Sequence, residues 1–226
     1  MKKLLVVVCL AGMSVPAFCA SDTAKLDDRI SSARAVLDEI MSTPDKSIPD
    51  GIAKQAVCIG VIPGVVKGAF IFGAEYGQGV VTCRTGHGWS GPVFIRMAGG
   101  SFGFQIGGQG TDLVLVAINQ KGFQDLLASK FKIGGDASAA AGPVGRDTQA
   151  STDISMRAEL LTWSRARGLF AGIDLNGVSV SQNKDDTDTF YSGSHSFDSI
   201  LHGNVPPPPA SREFLETISK YFRTAQ

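Results

Sequence analysis

The sequence predicts an α+β fold: a glycine-rich, mainly antiparallel β body, sheet- or barrel-like, with an N-terminal amphipathic helix and a C-terminal helix. Three observations predict it. Apolar residues recur at helical spacing mainly near the two ends of the chain, at Leu26, Ile30, Leu37 and at Phe214, Ile218. Between them, apolar residues alternate with small or polar ones at strand spacing. The 27 glycines sit within these apolar stretches and not in polar low-complexity tracts, so disorder is not indicated. Helices gathered at the ends, not interleaved with strands, argue for α+β.

The elements follow in order. Lys2 and Lys3 precede an uncharged apolar run from Leu4 to Val15, then Pro16 and small residues. That is the layout of a secretory signal peptide, too short to span a bilayer as a stable helix. The expectation is a leader over residues 1–20 and one domain over 21–226. Cys19 offers lipid anchoring as an alternative, disfavoured by Phe18 just before it. Residues 22–42 read as a helix with Leu26, Ile30, Ala33, Leu37 and Ile40 on one face, ended by Pro44. Its polar face leans acidic.

From Val57 to Val81 the chain is apolar and glycine-rich, with strand alternation from Phe70 to Gly77. Phe102, Phe104 and Ile106 form one face of a strand whose other face carries almost no bulk, inviting close approach to that backbone. Leu113 to Ile118 suits a strand buried on both sides. Asn119 can cap a short helix with Phe123, Leu126 and Leu127 inward. Phe131 and Ile133 alternate with Lys130 and Lys132, and residues 136–145 are extended or looped. Residues 154–160 alternate as a strand. Asn176-Gly177 predicts a hairpin between 169–175 and 178–181. Pro206 to Pro209 form a stiff extended spacer before the closing helix.

The chain holds 21 basic and 21 acidic residues. Loss of the leader removes two lysines and no acids, leaving 19 against 21, a net charge of −2. That balance excludes a nucleic-acid footprint of clustered Lys and Arg. In an exported chain, Cys58 and Cys83 are read first as a disulfide, with two buried free thiols as the alternative. Two lone thiols lack the companion ligands zinc needs, and His87, His195 and His202 share no ligand spacing, so no metal and no cofactor is expected. Asp185, Asp186 and Asp188 lack the EF-hand glycine and terminal glutamate and read as a solvated loop or helix start.

Two short motifs resemble catalytic or cofactor signatures. Gly99-Gly100-Ser101-Phe102-Gly103 fits G-x-S-x-G, which places a nucleophile only at a strand–turn–helix elbow; here strand alternation continues past Ser101. A serine hydrolase using Ser101 is the remote alternative. Gly86 to Gly91 fits G-x-G-x-x-G, but Pro92 and a strand-like stretch follow where a helix should begin. An outer-membrane barrel would need many strands of about ten residues, which the terminal helix and the doubly buried Leu113–Ile118 oppose. No catalysis is expected.

Four stretches taken in order carry a resemblance. Cys58 to Pro63 leads to Lys67-Gly68-Ala69-Phe70-Ile71-Phe72-Gly73 and Tyr76 to Gly79. Trp89-Ser90-Gly91-Pro92 leads to Gly99 through Gln109 and Thr111 to Val114. Ala141 to Asp147 follows, then Ser164-Arg165-Ala166-Arg167-Gly168-Leu169-Phe170-Ala171-Gly172. Together they resemble the SYLF domain, shared by bacterial exported proteins and eukaryotic endocytic adaptors, among them yeast actin-patch proteins with SH3 domains. The resemblance covers roughly residues 25–225. It implies phospholipid binding without catalysis, with phosphoinositides as the eukaryotic ligand and another anionic phospholipid as the bacterial one. Some relatives bind actin; an exported chain meets none, so no actin is expected, and envelope proteins are the alternative partners. The resemblance also implies a membrane-contacting N-terminal helix, here through Leu26, Ile30 and Leu37, though these residues equally suit a cover for the core. Cations able to meet a phosphate headgroup are Lys67, Lys130, Lys132, Arg146, Arg157, Arg165 and Arg167. Lys67 has Glu75 as an internal partner, and Arg146-Asp147 an anchoring role with Gln105, Gln109 or Asp112. The place expected for such a protein is the periplasm or envelope.

Overall fold

The computed structural model describes residues 18–43, 47–69, 72–102, 110–133, 139–142, 159–166, 169–170, 175 and 177–223. The N-terminal helix α1 runs Phe18–Ser42 and a short helix α2 runs Asp50–Gln55. The strands are β1 (Cys58–Ala69), β2 (Phe72–Thr85), β3 (Gly88–Trp89), β4 (Val93–Phe102), β5 (Gly110–Ala117), β6 (Lys130–Lys132), β7 (Ala139–Ala141), β8 (Leu160–Ala166), β9 (Leu169–Phe170) and β10 (Ser179–Gln182). Helix α3 (Gln120–Leu127) leads into β6; α4 (Lys184–Phe190) and α5 (Phe197–Leu201) follow β10; α6 (Arg212–Tyr221) closes the fold. The fold is therefore α+β, as the end-loaded helical pattern predicts.

The described strands form one curled sheet in the order β6-β10-β4-β2-β1-β5-β8-β7, with β3 joined to β2 and β9 to β8. Pairing is antiparallel throughout except between β7 and β8. Each face carries a buried core. On one face Ile59, Val61, Val80, Phe94, Val114, Val116 and Trp163 pack under Leu26, Ile30, Leu37 and Ile40 of α1 and Phe214 and Ile218 of α6. On the other, the curled sheet meets itself through Ile62, Val93, Met97, Leu113, Leu115, Phe131 and Val180, closed by Phe197, Ile200 and Leu201 of α5. The uninterrupted apolar run of β5 thus supplies both cores in alternation, which is why Leu113 to Ala117 are all fully buried.

One sequence expectation is corrected, and one is met at Ser101, where the strand continues as its alternation predicts. Asn176-Gly177 does not close a hairpin between its flanking segments: β9 pairs with β8, while β10 pairs with β4 and β6. Gly177 does adopt the expected positive φ of 81°, but its N–H donates to the Ile133 carbonyl, so the turn serves the approach of β10 to β6. Ser101 is a residue of β4, directly opposite Gly73 of β2, and not the apex of a nucleophile elbow. The strand expected over 154–160 falls largely outside the described residues; β8 begins at Leu160. The Asp185–Asp188 stretch forms the start of α4, where the Asn183 side chain accepts a hydrogen bond from the Asp186 N–H. Asn119 caps α3 as expected, accepting from the Gly122 N–H at 2.8 Å.

Candidate functional site

The candidate site is the set of cations together with α1, and the structure sorts them. On β6, Phe131 is buried in the core while Lys130 and Lys132 are exposed on the opposite face. This follows from strand alternation: one anchored aromatic fixes the direction of both neighbouring ammonium groups. β6 lies at the end of the described strand order, paired only with β10, so its lysines stand at a sheet edge.

Arg165 takes the other role. It lies on β8 beneath α1, ion-pairs with Glu39 of that helix, and has Asp112 of β5 at 3.5 Å. Asp112 in turn accepts the Gly64 N–H at 2.9 Å, where β1 turns through a positive φ of 58°. Arg165 is therefore committed to holding α1 and the β1 irregularity. Asp112 serves this cluster. Lys67 lies on β1 directly opposite Glu75 of β2, the acid the sequence offers as its partner, and Glu75 is buried. Arg146, Arg157 and Arg167, with Asp147, Gln105 and Gln109, lie outside the described residues.

Leu26, Ile30 and Leu37 are no more than 4% exposed and pack against the sheet and α6. In this packing these three residues form the cover of the core and offer no surface for membrane contact. Polar contacts hold the helix along its middle and C-terminal part. Arg29 donates to Asp186 of α4 and to Gln78 of β2, each at 2.5 Å, and lies 5.5 Å from the Phe94 ring centre. Arg34 pairs with Glu213 of α6 at 2.5 Å, and the Tyr221 hydroxyl donates to Asp38.

Several determinants carried little sequence signal. Arg84 is held by backbone carbonyls. It donates to the carbonyls of Ala56 and Phe222, at the C-terminal ends of α2 and α6, and stacks 4.6 Å from the Trp89 ring. Helix C-termini are the favourable place for a cation, while partial burial lowers its affinity for the proton. Tyr191 packs above Gly91 and donates to the Pro92 carbonyl at 3.1 Å; burial pushes its phenol well above the ordinary range. Cys58 and Cys83 lie opposite each other on β1 and β2 with their sulfurs joined in a disulfide. No group of three or more His, Cys, Asp or Glu side chains converges among the described residues. No described helix is long and apolar enough to cross a membrane.

Comparison with known proteins adds family information to this geometry. Residues 98–221 match the family described as Ysc84: Las17-binding protein actin regulator. The chain is 32% identical over 180 residues to SH3 domain-containing YSC84-like protein 1 of Rattus norvegicus, a stretch covering 79% of this chain and 53% of that protein. It is 33% identical over 172 residues to LAS seventeen-binding protein 3 of Saccharomyces cerevisiae, covering 74% of this chain and 37% of that protein. The human YSC84-like protein is 30% identical over 180 residues. The chain spans about half the length of its mammalian relatives and less of the yeast one.

Proposed function

The chain belongs to the Ysc84 family, whose domain is the SYLF domain, and from that premise we propose that it is an exported, non-catalytic binding protein for anionic phospholipid at the bacterial envelope. The observation that carries the reading is the pair Lys130 and Lys132, exposed side by side at a sheet edge and held by the buried Phe131. Two ammonium groups at alternating strand positions, about 7 Å apart along the strand, offer point charges to neighbouring headgroup phosphates. Each is worth about 1 kcal/mol near an anionic membrane surface. The leader-like N-terminus supports export.

Co-sedimentation of the chain from Ser21 onward with vesicles tests the reading. Binding is expected with phosphatidylglycerol-containing vesicles and to be much weaker with pure phosphatidylcholine. A Lys130→Glu, Lys132→Glu variant should bind about thirtyfold less, since two charge reversals remove roughly 2 kcal/mol or more. Equal binding to both vesicle types, or to neither, overturns it.

A second reading, docking of an envelope protein, is favoured by one feature. A groove of about 510 Å³ lies between the proline run and α6, lined by Pro207, Pro208, Pro209, Arg212, Leu215 and Glu216. The relatives named for binding Las17 have a protein partner. Co-purification from envelope extracts that ignores lipid would favour this reading.

A further inference from the structure

Helix α1 covers only part of its sheet face. Along β2, Val80 is buried in the core that α1 covers, Gln78 accepts a hydrogen bond from Arg29 of α1, and Tyr76, next on that face, is 49% exposed. Directly opposed residues of antiparallel strands share a face, so the register traces what lies beyond the helix. Val66 of β1 stands opposite Tyr76 and is 53% exposed; Ala98 of β4 stands opposite Tyr76 on the other side and is also exposed. Ser179 of β10 opposes Ala98, and Lys132 of β6 opposes Ser179. One row thus runs from Val66 through Tyr76 and Ala98 to Lys132. One step nearer α1, a parallel row runs from Gln78 through Arg96 and Ser181 to Lys130.

Val66 and Tyr76 are the large hydrophobics exposed among the described residues, and the register sets them on the face that carries both lysines. Neither row contains an acid. A half-exposed tyrosine offers on the order of 100 Å², whereas a stable protein partner or second copy needs about 800 Å² from each side. A bilayer needs no matching shape: a tyrosine suits the interface, where its ring is apolar and its hydroxyl wet. Lysines on the same face supply the attraction to anionic headgroups.

We propose that Val66 and Tyr76 are the apolar membrane contacts of this protein, entering the headgroup–acyl boundary of an anionic bilayer while Lys130 and Lys132 meet the headgroups. The inference rests on the phospholipid-binding reading and adds the face and the orientation.

The test uses phosphatidylethanolamine vesicles containing phosphatidylglycerol, with wild type, Val66→Asp, Tyr76→Asp and Tyr76→Trp. Wild type is expected to bind, and each Asp variant to bind about tenfold less, having lost an apolar contact and gained a repelled charge. Tyr76→Trp should bind like wild type and gain a blue-shifted emission with vesicles that wild type, with Trp89 and Trp163, does not show. Wild type bound with Asp variants bound equally well overturns this inference and leaves the lipid reading standing; wild type unbound overturns the lipid reading and this inference with it. If an Asp variant fails to fold, the tryptophan reporter decides: bound protein without a blue shift overturns the proposal. A wild-type dimer in solution that Val66→Asp splits, with lipid binding unchanged, overturns it in favour of a second copy on this face.

Discussion

The described members of the predicted cation set differ in burial and in what surrounds them. Arg165 lies between Glu39 and Asp112, residues far from it in sequence, while Lys130 and Lys132 are exposed on β6. The outward lysines were legible, because alternation about Phe131 needs only local sequence. The partners of Arg165 were not, because they come from α1 and β5. Tyr191 shows the same at a neutral group: the Pro92 carbonyl, far from it in sequence, accepts a hydrogen bond from its hydroxyl. Burial raises its phenol above the ordinary 10.0. Above pH 10 the unfolded chain releases this proton while the folded chain keeps it, so the unfolded state binds fewer protons and stability falls as pH rises. Below pH 10 the contribution is fully present. The melting temperature of wild type should therefore decline more steeply above pH 10 than that of Tyr191→Phe, which lacks the ionising group and is about 1 kcal/mol less stable below pH 10 for the missing hydrogen bond. Parallel declines would remove the phenol from the account.

Elements form where local pattern and long-range pairing agree. Helix α1 was readable in outline because Leu26, Ile30, Ala33, Leu37 and Ile40 repeat at helical spacing and all five are buried. The hairpin at Asn176-Gly177 was misread because turn chemistry reports a positive φ and is silent on which strand lies alongside; β10 found β4 and β6. The glycines of β2 were visible as glycines, but their neighbours were not. Gly79 faces the stretch where the β1–β2 register shifts, and a Cβ there would stand 2.2 Å from the Val61 carbonyl oxygen and 2.8 Å from the Ile62 Cα. Backbone cannot swing aside as a side chain does. Gly79→Ala should therefore force the two longest strands apart and lose several kcal/mol, beyond the 1–3 kcal/mol usual for overpacking. Urea denaturation reads this directly; a midpoint within error of wild type would show that β1 shifts at little cost. Gly51, with nothing near its Cβ position, is the matched control.

At the scale of the molecule, one sheet with a core on each face requires covers on both sides, and the chain ends supply one of them. Composition and patterning showed the glycine-rich body and the terminal helices; they did not show that the sheet curls until β6 and β10 pack over the same core as β1 and β5, since curling is a sum of many small twists. The Cys58–Cys83 link acts at this scale too, because it ties β1 to β2 in the unfolded chain as well as in the folded one. Closing a loop across a sequence separation of 25 removes entropy from the unfolded state worth about 3 kcal/mol in the chain-entropy account. Such a link makes two separate demands on denaturation. The oxidised protein should have a higher urea midpoint than the same protein kept in reductant, and a smaller m-value, because a cross-linked unfolded chain exposes less surface. Reduction is the cleaner comparison, since both side chains are fully buried and Cys→Ala changes would add cavity costs of their own. Mass measurement before and after reduction, with thiol alkylation, reports whether the bond is present in protein recovered from cells. Two free thiols there, or identical midpoints and slopes in the two states, would mean that sheet pairing alone holds β1 to β2.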